Sequence, residues 1–551
     1  MKKTGIFMGI FFLGLLMGFQ LDNIRINRDM IQQASWLIGL QFTPQEMDSM
    51  IVPLEKYRDN YEVIRKDSLA YSTPPALVFD PRPGNFIIPR LQYPVQYSRP
   101  NKLKRPKTIE ELSFWTVRDL AELIKAKEVT SLELTTLFLN RLKKYDPQLY
   151  CVVNLTEKYA LEQAKLLDKE IEKGKYRGLL HGIPYGLKDL FAVRGYPTTW
   201  GATPFQMQQF DSTSAVANKL EDAGAILVAK LSLGELARGD VWFGGQTRNP
   251  WDNTKGSSGS SAGSASAVAA GLLPFAIGTE TLGSIISPAT VCGVTGLRPT
   301  FGRISRYGAM PLAWSMDKVG PLCRQVEDCA IILQALAGSD PRDPSTIPAP
   351  FNYNHNFNVK TLRIGYVEED FSKDYPFKAN DEKTLQLLKE AGLVLVPIKL
   401  PALPNLRLIL NAEAAAVFNE LTLKDHDDYL VQQNSSAWPN SFRTSRFIPA
   451  VEYIQATRIR HKLVEAMNQV MEQVDVYLAP TFFGNNLTLT NYTGHPALVI
   501  PNGFQDQKPT SITLTGSLFG EDKLLRLGKF LQDLSDHHLK HPERFDPRFN
   551  H

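Results

Sequence analysis

Between Gly256 and Gly271 the chain is built almost wholly of glycine, serine and alanine. Six of the ten residues from Ser257 to Ser266 are serines. Residues this small let a backbone turn tightly. Turned backbone N–H groups converge into concavities that hold anions or developing oxyanions. The stretch is too short for a flexible linker, and it leads directly into an apolar run at 274–278 that reads as a strand. Then comes Gly278-Thr-Glu-Thr-Leu-Gly-Ser-Ile-Ile-Ser-Pro288. A strand that ends in such a turn, followed by a serine, suits the mounting of a nucleophile.

A serine hydroxyl becomes a nucleophile only beside a base. Histidine is the usual one, and this segment has none. A lysine can serve when it is neutral, which burial or a cationic neighbour brings about. Lys188 lies in His181-Gly-Ile-Pro-Tyr-Gly-Leu-Lys-Asp189, beside Leu187, Leu190 and Phe191. That apolar setting would desolvate it. The competing reading is a surface lysine snorkelling from the end of an element.

The rest of the chain alternates short apolar runs with helical periodicity. Strands are expected at 225–229, 274–278, 362–367, 393–398, 476–479, 497–500 and 511–515. Helices at about 213–223, 326–337, 382–391, 448–472 and 521–535 separate several of them. Capping spacing at Thr116/Asp119 and Thr130/Glu133 opens helices at 116–126 and 130–145, and another spans 156–174. This alternation predicts an α/β protein with a mostly buried sheet covered by helices.

The N-terminus differs in kind. Lys2 and Lys3 precede an uncharged apolar run, Ile6 to Phe19, the length of a signal-peptide core and short for a spanning helix. No small-x-small cleavage pattern follows. Residues 1–20 are therefore expected to be a signal peptide or a membrane anchor through 6–19. The chain is accordingly expected to be exported, periplasmic or membrane-anchored. Residues 21–105 read as an appended segment with helices at 28–40 and 44–67, then a proline-rich linker or wrapping arm from Pro74 to Pro106. A catalytic domain over 106–540 and a polar tail over 541–551 complete the division.

With 61 basic and 57 acidic residues the net charge is +4, and no basic run stands out. Nucleic acid is therefore not an expected partner. Cysteine occurs four times, with no CxxC, and HExxH is absent. Neither a disulfide scaffold nor a metal site is expected.

Three segments together resemble the amidase signature family. Gly182-Ile-Pro-Tyr-Gly-Leu-Lys-Asp189 looks like its lysine motif, Gly259-Ser-Ser-Ala-Gly-Ser264 like its serine-rich block, and Gly278 to Ile285 like its nucleophile block. Asn249-Pro-Trp-Asp252 and Cys292-Gly-Val-Thr-Gly-Leu-Arg-Pro-Thr300 match the flanks. The resemblance covers about residues 110–535 and implies an α/β/α sandwich with a large mixed sheet between helices. It implies Lys188 as base, Ser260 as bridging serine on a cis peptide bond and Ser284 as nucleophile. The backbone N–H groups of Thr281, Leu282, Gly283 and Ser284 would face the oxyanion. The implied reaction is cleavage of a small-molecule amide through an acyl-enzyme, without cofactor or metal. Three residues depart from the family pattern. Glu280 replaces an aspartate, Leu282 a glycine, and Ile286 the arginine after Ser-Ile.

Rival readings follow from the same residues. Gly259-Ser-Ser-Ala-Gly263 fits the nucleophile elbow G-x-S-x-G, with Ser261 as nucleophile, but that motif needs a strand before it. The amidase-like component of a glutamine-dependent tRNA amidotransferase would use the same triad with partner proteins. A non-catalytic binding protein on the same fold is the third alternative. His495 could line the substrate pocket, against a satisfied loop histidine. Cys292 reads as buried and inert.

Overall fold

The computed structural model describes residues 25–66, 69–84, 86–101 and 104–549. The chain divides into two compact units: Met1–Ala70 with Phe447–Ala450, and Tyr71–Arg446 with Val451–His551. The expectation for residues 1–20 lies outside the described residues. Among the described residues no helix is long and apolar enough to cross a membrane.

In the first unit, α1 (Arg28–Leu37) begins where Asn27 accepts a hydrogen bond from the Met30 N–H. The longer α2 (Pro44–Lys66) buries only Met47.

The second unit is built on one mixed sheet of eleven strands. In chain order these are β1 (Val152–Leu155), β2 (Pro184–Lys188), β3 (Ile226–Leu231) and β4 (Phe275–Glu280). Next come β5 (Thr295–Arg298), β6 (Lys318–Cys323), β7 (Ile364–Val367) and β8 (Leu395–Ile398). Last are β9 (Val476–Pro480), β10 (Ala497–Gln505) and β11 (Lys508–Gly516). The spatial order is β1-β3-β2-β4-β6-β5-β10-β11-β9-β7-β8. Strands β3, β2 and β4 run parallel, while β4, β6, β5, β10 and β11 are joined antiparallel. Every residue of β2, β3, β6 and β9 is buried. A sheet buried on both faces needs helices on both, as an α/β fold supplies.

Three helices converge on the C-terminal ends of β2 and β4. The small residues of α3 (Ala262–Ala269) pack across β2, β3 and β4. Directly after β4 comes α4 (Ile286–Cys292), and α5 (Asn486–Thr493) precedes β10.

The proline-rich segment lies along this unit. Phe79 meets Phe301 edge-on at 5.1 Å, Gln92 donates to the Phe351 carbonyl at 2.7 Å, and the Ser98 N–H donates to Glu327 at 3.0 Å. The C-terminal stretch expected as a polar tail is anchored by Phe545. This residue is fully buried, packs edge-on to Tyr145, and accepts from Arg141 at 2.7 Å through its carbonyl.

Candidate active site

The site forms where the parallel strands β2 and β4 end side by side, the edge at which open α/β sheets place their ligands. Lys188 is the last residue of β2, and Thr279 and Glu280 end β4. The serine-rich turn arrives from the N-terminus of α3. Gly278 makes this approach possible, because a Cβ there would sit 2.6 Å from Ser261 Oγ.

Lys188 is completely buried. Its Nζ lies 2.8 Å from Ser260 Oγ, 3.1 Å from Ser261 Oγ and 2.9 Å from Thr279 Oγ1. The two serines are not equivalent. Ser261 donates its proton to the Thr279 carbonyl at 3.0 Å and accepts from the Thr279 N–H at 3.2 Å. With that proton committed, Ser261 can only accept from Lys188. Of the two serines, Ser260 is left as the one that can give a proton to the amine lone pair.

Burial holds the Lys188 pKa well below its ordinary value, against smaller opposing effects from Asp317 and Glu280. Among the described residues no carboxylate touches the amine, because each nearby one is engaged elsewhere. Asp189 pairs with the buried Lys230 at 2.6 Å and accepts from the Thr199 N–H at 2.8 Å. Asp317 accepts from the Thr281 hydroxyl at 2.5 Å and the Leu312 N–H at 2.7 Å. Desolvation without a counter-ion is what makes a lysine neutral.

Ser284 sits in the turn between β4 and α4 and is partly exposed. Its carbonyl accepts from the Ser261 N–H at 3.1 Å, which ties the two serine-bearing turns together. Its hydroxyl makes no hydrogen bond to Ser260 among the described residues. Catalytic contacts are often loose before substrate binds. Gly283 takes a φ of +91°, and a Cβ there would meet Leu487 at 3.3 Å. Among the described residues, the N–H groups of Leu282, Gly283 and Ser284 donate to no protein acceptor. Thr281 is buried, with its hydroxyl turned to Asp317.

Glu280 anchors this turn. Its fully buried carboxylate accepts from the N–H groups of Ile285 and Ile286, both at 2.9 Å. It also pairs with Arg298 at 2.7 Å and accepts from Asn491 at 2.8 Å. Arg298 and these N–H groups overcome desolvation and hold its pKa down to about 2. Through these two N–H groups the glutamate caps the start of α4. Ile286, where the family's arginine is missing, is buried. The cation facing the Glu280 carboxylate is Arg298, on β5. Leu282 is partly buried and packs against the core.

Residues 133–490 match the family described as Amidase. The chain belongs to the amidase family. Among the relatives of this chain is the A component of the glutamyl-tRNA(Gln) amidotransferase of Chloroflexus aggregans. It is 33% identical over 485 residues, covering 79% of this chain and 99% of the relative. The Roseiflexus castenholzii protein of the same name is 35% identical over 482 residues, 78% and 97% of the two chains. Among solved structures, the native peptide amidase of Stenotrophomonas maltophilia is 30% identical with a TM-score of 0.69, covering 77% of this chain and 97% of that one. An amidase family protein from Bacillus anthracis has a TM-score of 0.71 at 26% identity, covering 79% and 93%. The α/β architecture with its large mixed sheet is the architecture of these amidase structures.

The geometry corrects the expected peptide bond and bears on the rival readings. The resemblance implied a cis peptide bond at Ser260, yet every described peptide bond is trans. Positive φ at Ser258 (63°) and Gly259 (57°) turns the chain here instead. A strand does precede the elbow-like motif, at Asp252–Gly256, but it belongs to a two-stranded ribbon outside the main sheet. Ser261 is fully buried. His495 is buried, with Nδ1 2.8 Å from the Thr493 hydroxyl and its pKa lowered by burial to about 3. It is a satisfied structural histidine. Cys292 is buried, and its thiol pKa is raised by burial. Sequence reasoning missed the latch made by Ser261 and Thr279 and the anchoring role of Glu280, Arg298 and Asn491.

Proposed function

We propose that this chain is a hydrolase that cleaves linear carboxamides through an acyl-enzyme, with Lys188 as base, Ser260 as relay and Ser284 as nucleophile. One observation carries the reading. A fully buried, carboxylate-free lysine lies 2.8 Å from the one neighbouring serine whose proton is free to move. Neutral Lys188 takes the Ser260 proton as Ser260 takes that of Ser284. Ser284 Oγ attacks the amide carbonyl carbon, and the N–H groups of Thr281, Leu282, Gly283 and Ser284 receive the oxyanion. Each such donor contributes about 3–4 kcal/mol to lowering the barrier. The proton returns through Ser260 to the leaving amine. Water, deprotonated by the same relay, then splits the acyl ester.

The curated relatives favour a second reading, in which the chain works as the amidase-like component of a tRNA amidotransferase and releases ammonia from glutamine for a partner. Ammonia release by the purified chain separates the two. Turnover of a panel of simple primary amides without any added protein supports the amidase reading. Release from glutamine alone, and only with added partner proteins, supports the second.

A further inference from the structure

Two aromatic residues upstream of the family match reach the supports of the catalytic residues. The match begins at residue 133, and Tyr71 and Phe79 lie well before it. Tyr71 is edge-on to Trp200, with ring centroids 4.7 Å apart, and also meets Phe205 at 6.2 Å and Phe418 at 6.3 Å. Trp200 is buried and takes a φ of +54°. A bulky residue in the left-handed region is strained and persists only where its surroundings hold it. Its N–H donates to the Asp189 carbonyl at 3.2 Å, and its carbonyl accepts from the Leu236 N–H at 3.0 Å. Asp189 directly follows Lys188, so the Tyr71 ring packs on a residue bonded to the neighbour of the base.

Phe79 reaches the nucleophile side. The guanidinium carbon of Arg460 lies 3.6 Å from the centre of its ring. Arg460 is buried. Its Nε donates to the Tyr492 carbonyl at 2.6 Å, and its two Nη atoms donate to the hydroxyl and the carbonyl of Ser315, both at 2.8 Å. These bonds all go to neutral oxygens, and a desolvated cation so placed gains from an aromatic face.

Arg460 thereby joins two routes to the oxyanion turn. Asn491, beside Tyr492 on α5, donates to Glu280 at 2.8 Å, and Glu280 caps the turn. Two residues beyond Ser315, Asp317 accepts from the Thr281 hydroxyl at 2.5 Å. The seat of Phe79 is itself fixed. Phe301 meets it edge-on at 5.1 Å and donates from its N–H to the Gly494 carbonyl at 3.0 Å. Pro81 rests on Gly494, where a Cβ would come within 2.8 Å of the proline ring.

We propose that residues 71–81 are a positioning strap, in which Tyr71 holds the lysine side of the site through Trp200 and Phe79 holds the oxyanion turn through Arg460. Both act as positioning residues, through the groups they pack on. This part of the appended segment is then a working part of the catalytic unit rather than a spacer. The inference rests on the amidase reading for the role of the turn, but its claim about the turn's geometry holds without turnover.

The rate of Ser284 labelling by a fluorophosphonate and the hydrogen exchange of amides 281–286 are measured on the full-length chain and on its Phe79→Ala, Phe79→Tyr, Tyr71→Ala and Phe86→Ala variants. Lys188→Ala is the control for the relay. Phe86 belongs to the same proline-rich segment but packs on Phe519, at 6.2 Å, instead. Phe79→Ala and Tyr71→Ala are expected to slow labelling about tenfold to a hundredfold. Phe79→Ala should also speed exchange across the turn about tenfold. Phe79→Tyr keeps the aromatic face and should stay near the unaltered chain in both measurements, and Phe86→Ala should lose stability alone. If Phe79→Ala does not fold, Phe79→Leu, which fills the volume without the aromatic face, reads the same contact. Labelling and exchange unchanged in both alanine variants, or equal losses in Phe86→Ala, would overturn the strap. Faster exchange in Phe79→Ala with no Ser284 labelling in the unaltered chain supports the strap and sinks the relay. Labelling that needs Lys188 but neither Phe79 nor Tyr71 does the reverse.

Discussion

The Nζ of Lys188 stands 2.8 Å from Ser260 Oγ, and no carboxylate shares that contact among the described residues. Asp189, the next residue, gives its carboxylate to Lys230 at 2.6 Å. A lysine so placed is neutral because it is desolvated, and its lone pair has a hydroxyl to act on. Since burial lowers its pKa, the active unprotonated form persists to lower pH than in a free lysine. Activity should therefore rise with pH through a single ionisation well below the ordinary lysine value of 10.5. A pH profile of kcat/KM checks this. An acid limb near the ordinary lysine value would contradict it.

Ser260 and Ser261 should respond differently to removal of the hydroxyl. Ser260→Ala breaks the relay, so kcat should fall about 10³-fold or more with little change in melting temperature. Ser261→Ala strips the latch from the Thr279 N–H and carbonyl. Leaving buried polar groups unpaired costs about 1–3 kcal/mol, so that variant should lose stability and a smaller share of kcat. Paired kinetics and denaturant melts of the two variants read both effects.

Glu280 links acid stability to the catalytic turn. Its pKa falls from 4.5 to about 2 on folding. Between those values the unfolded chain binds more protons than the folded one. The stabilisation is fully present above about pH 4.5 and is lost as pH falls towards 2, about 3 kcal/mol in all. Glu280→Gln should remove it and leave Arg298 buried without its partner, lowering stability by about 3–5 kcal/mol at neutral pH. Urea melts from about pH 2.5 to 7 should show the unaltered chain losing stability on acidification and the variant losing less.

Gly283→Ala tests the shape of the turn. An alanine at φ +91° is strained, and its Cβ meets Leu487 at 3.3 Å. The expected cost is about 1–2 kcal/mol of stability, with a larger loss in kcat as the neighbouring N–H groups swing away from the oxyanion. Steady-state kinetics beside thermal melts separate the two. Full activity would show that the turn tolerates another conformation.

Much of this fold is legible in the sequence, and the failures share a cause. Strands with clean apolar runs, such as Ile364–Val367 and Val476–Pro480, can be read to within one or two residues of their ends. Three central strands, Pro184–Lys188, Thr295–Arg298 and Lys318–Cys323, cannot. Each is fully buried, yet each carries a glycine and a charged residue, which local pattern reading takes for loop. Those charges are Lys188, Arg298 and Lys318, which sit at strand ends around the site. Chemistry thus hides the very strands that carry it. The candidate residues emerge from motif order rather than periodicity. In sequence Ser261 reads only as a rival nucleophile, because its contacts with Thr279 depend on how β4 and the serine-rich turn meet in space.

The central claim is that Lys188 activates Ser284 through Ser260. The most direct test is to treat the purified chain and its Lys188→Ala variant with a fluorophosphonate and locate the adduct by mass spectrometry. The predicted result is an adduct on Ser284 that forms readily in the unaltered chain and is lost in the variant. An adduct on Ser261, or Ser284 labelling at an equal rate without Lys188, would contradict it.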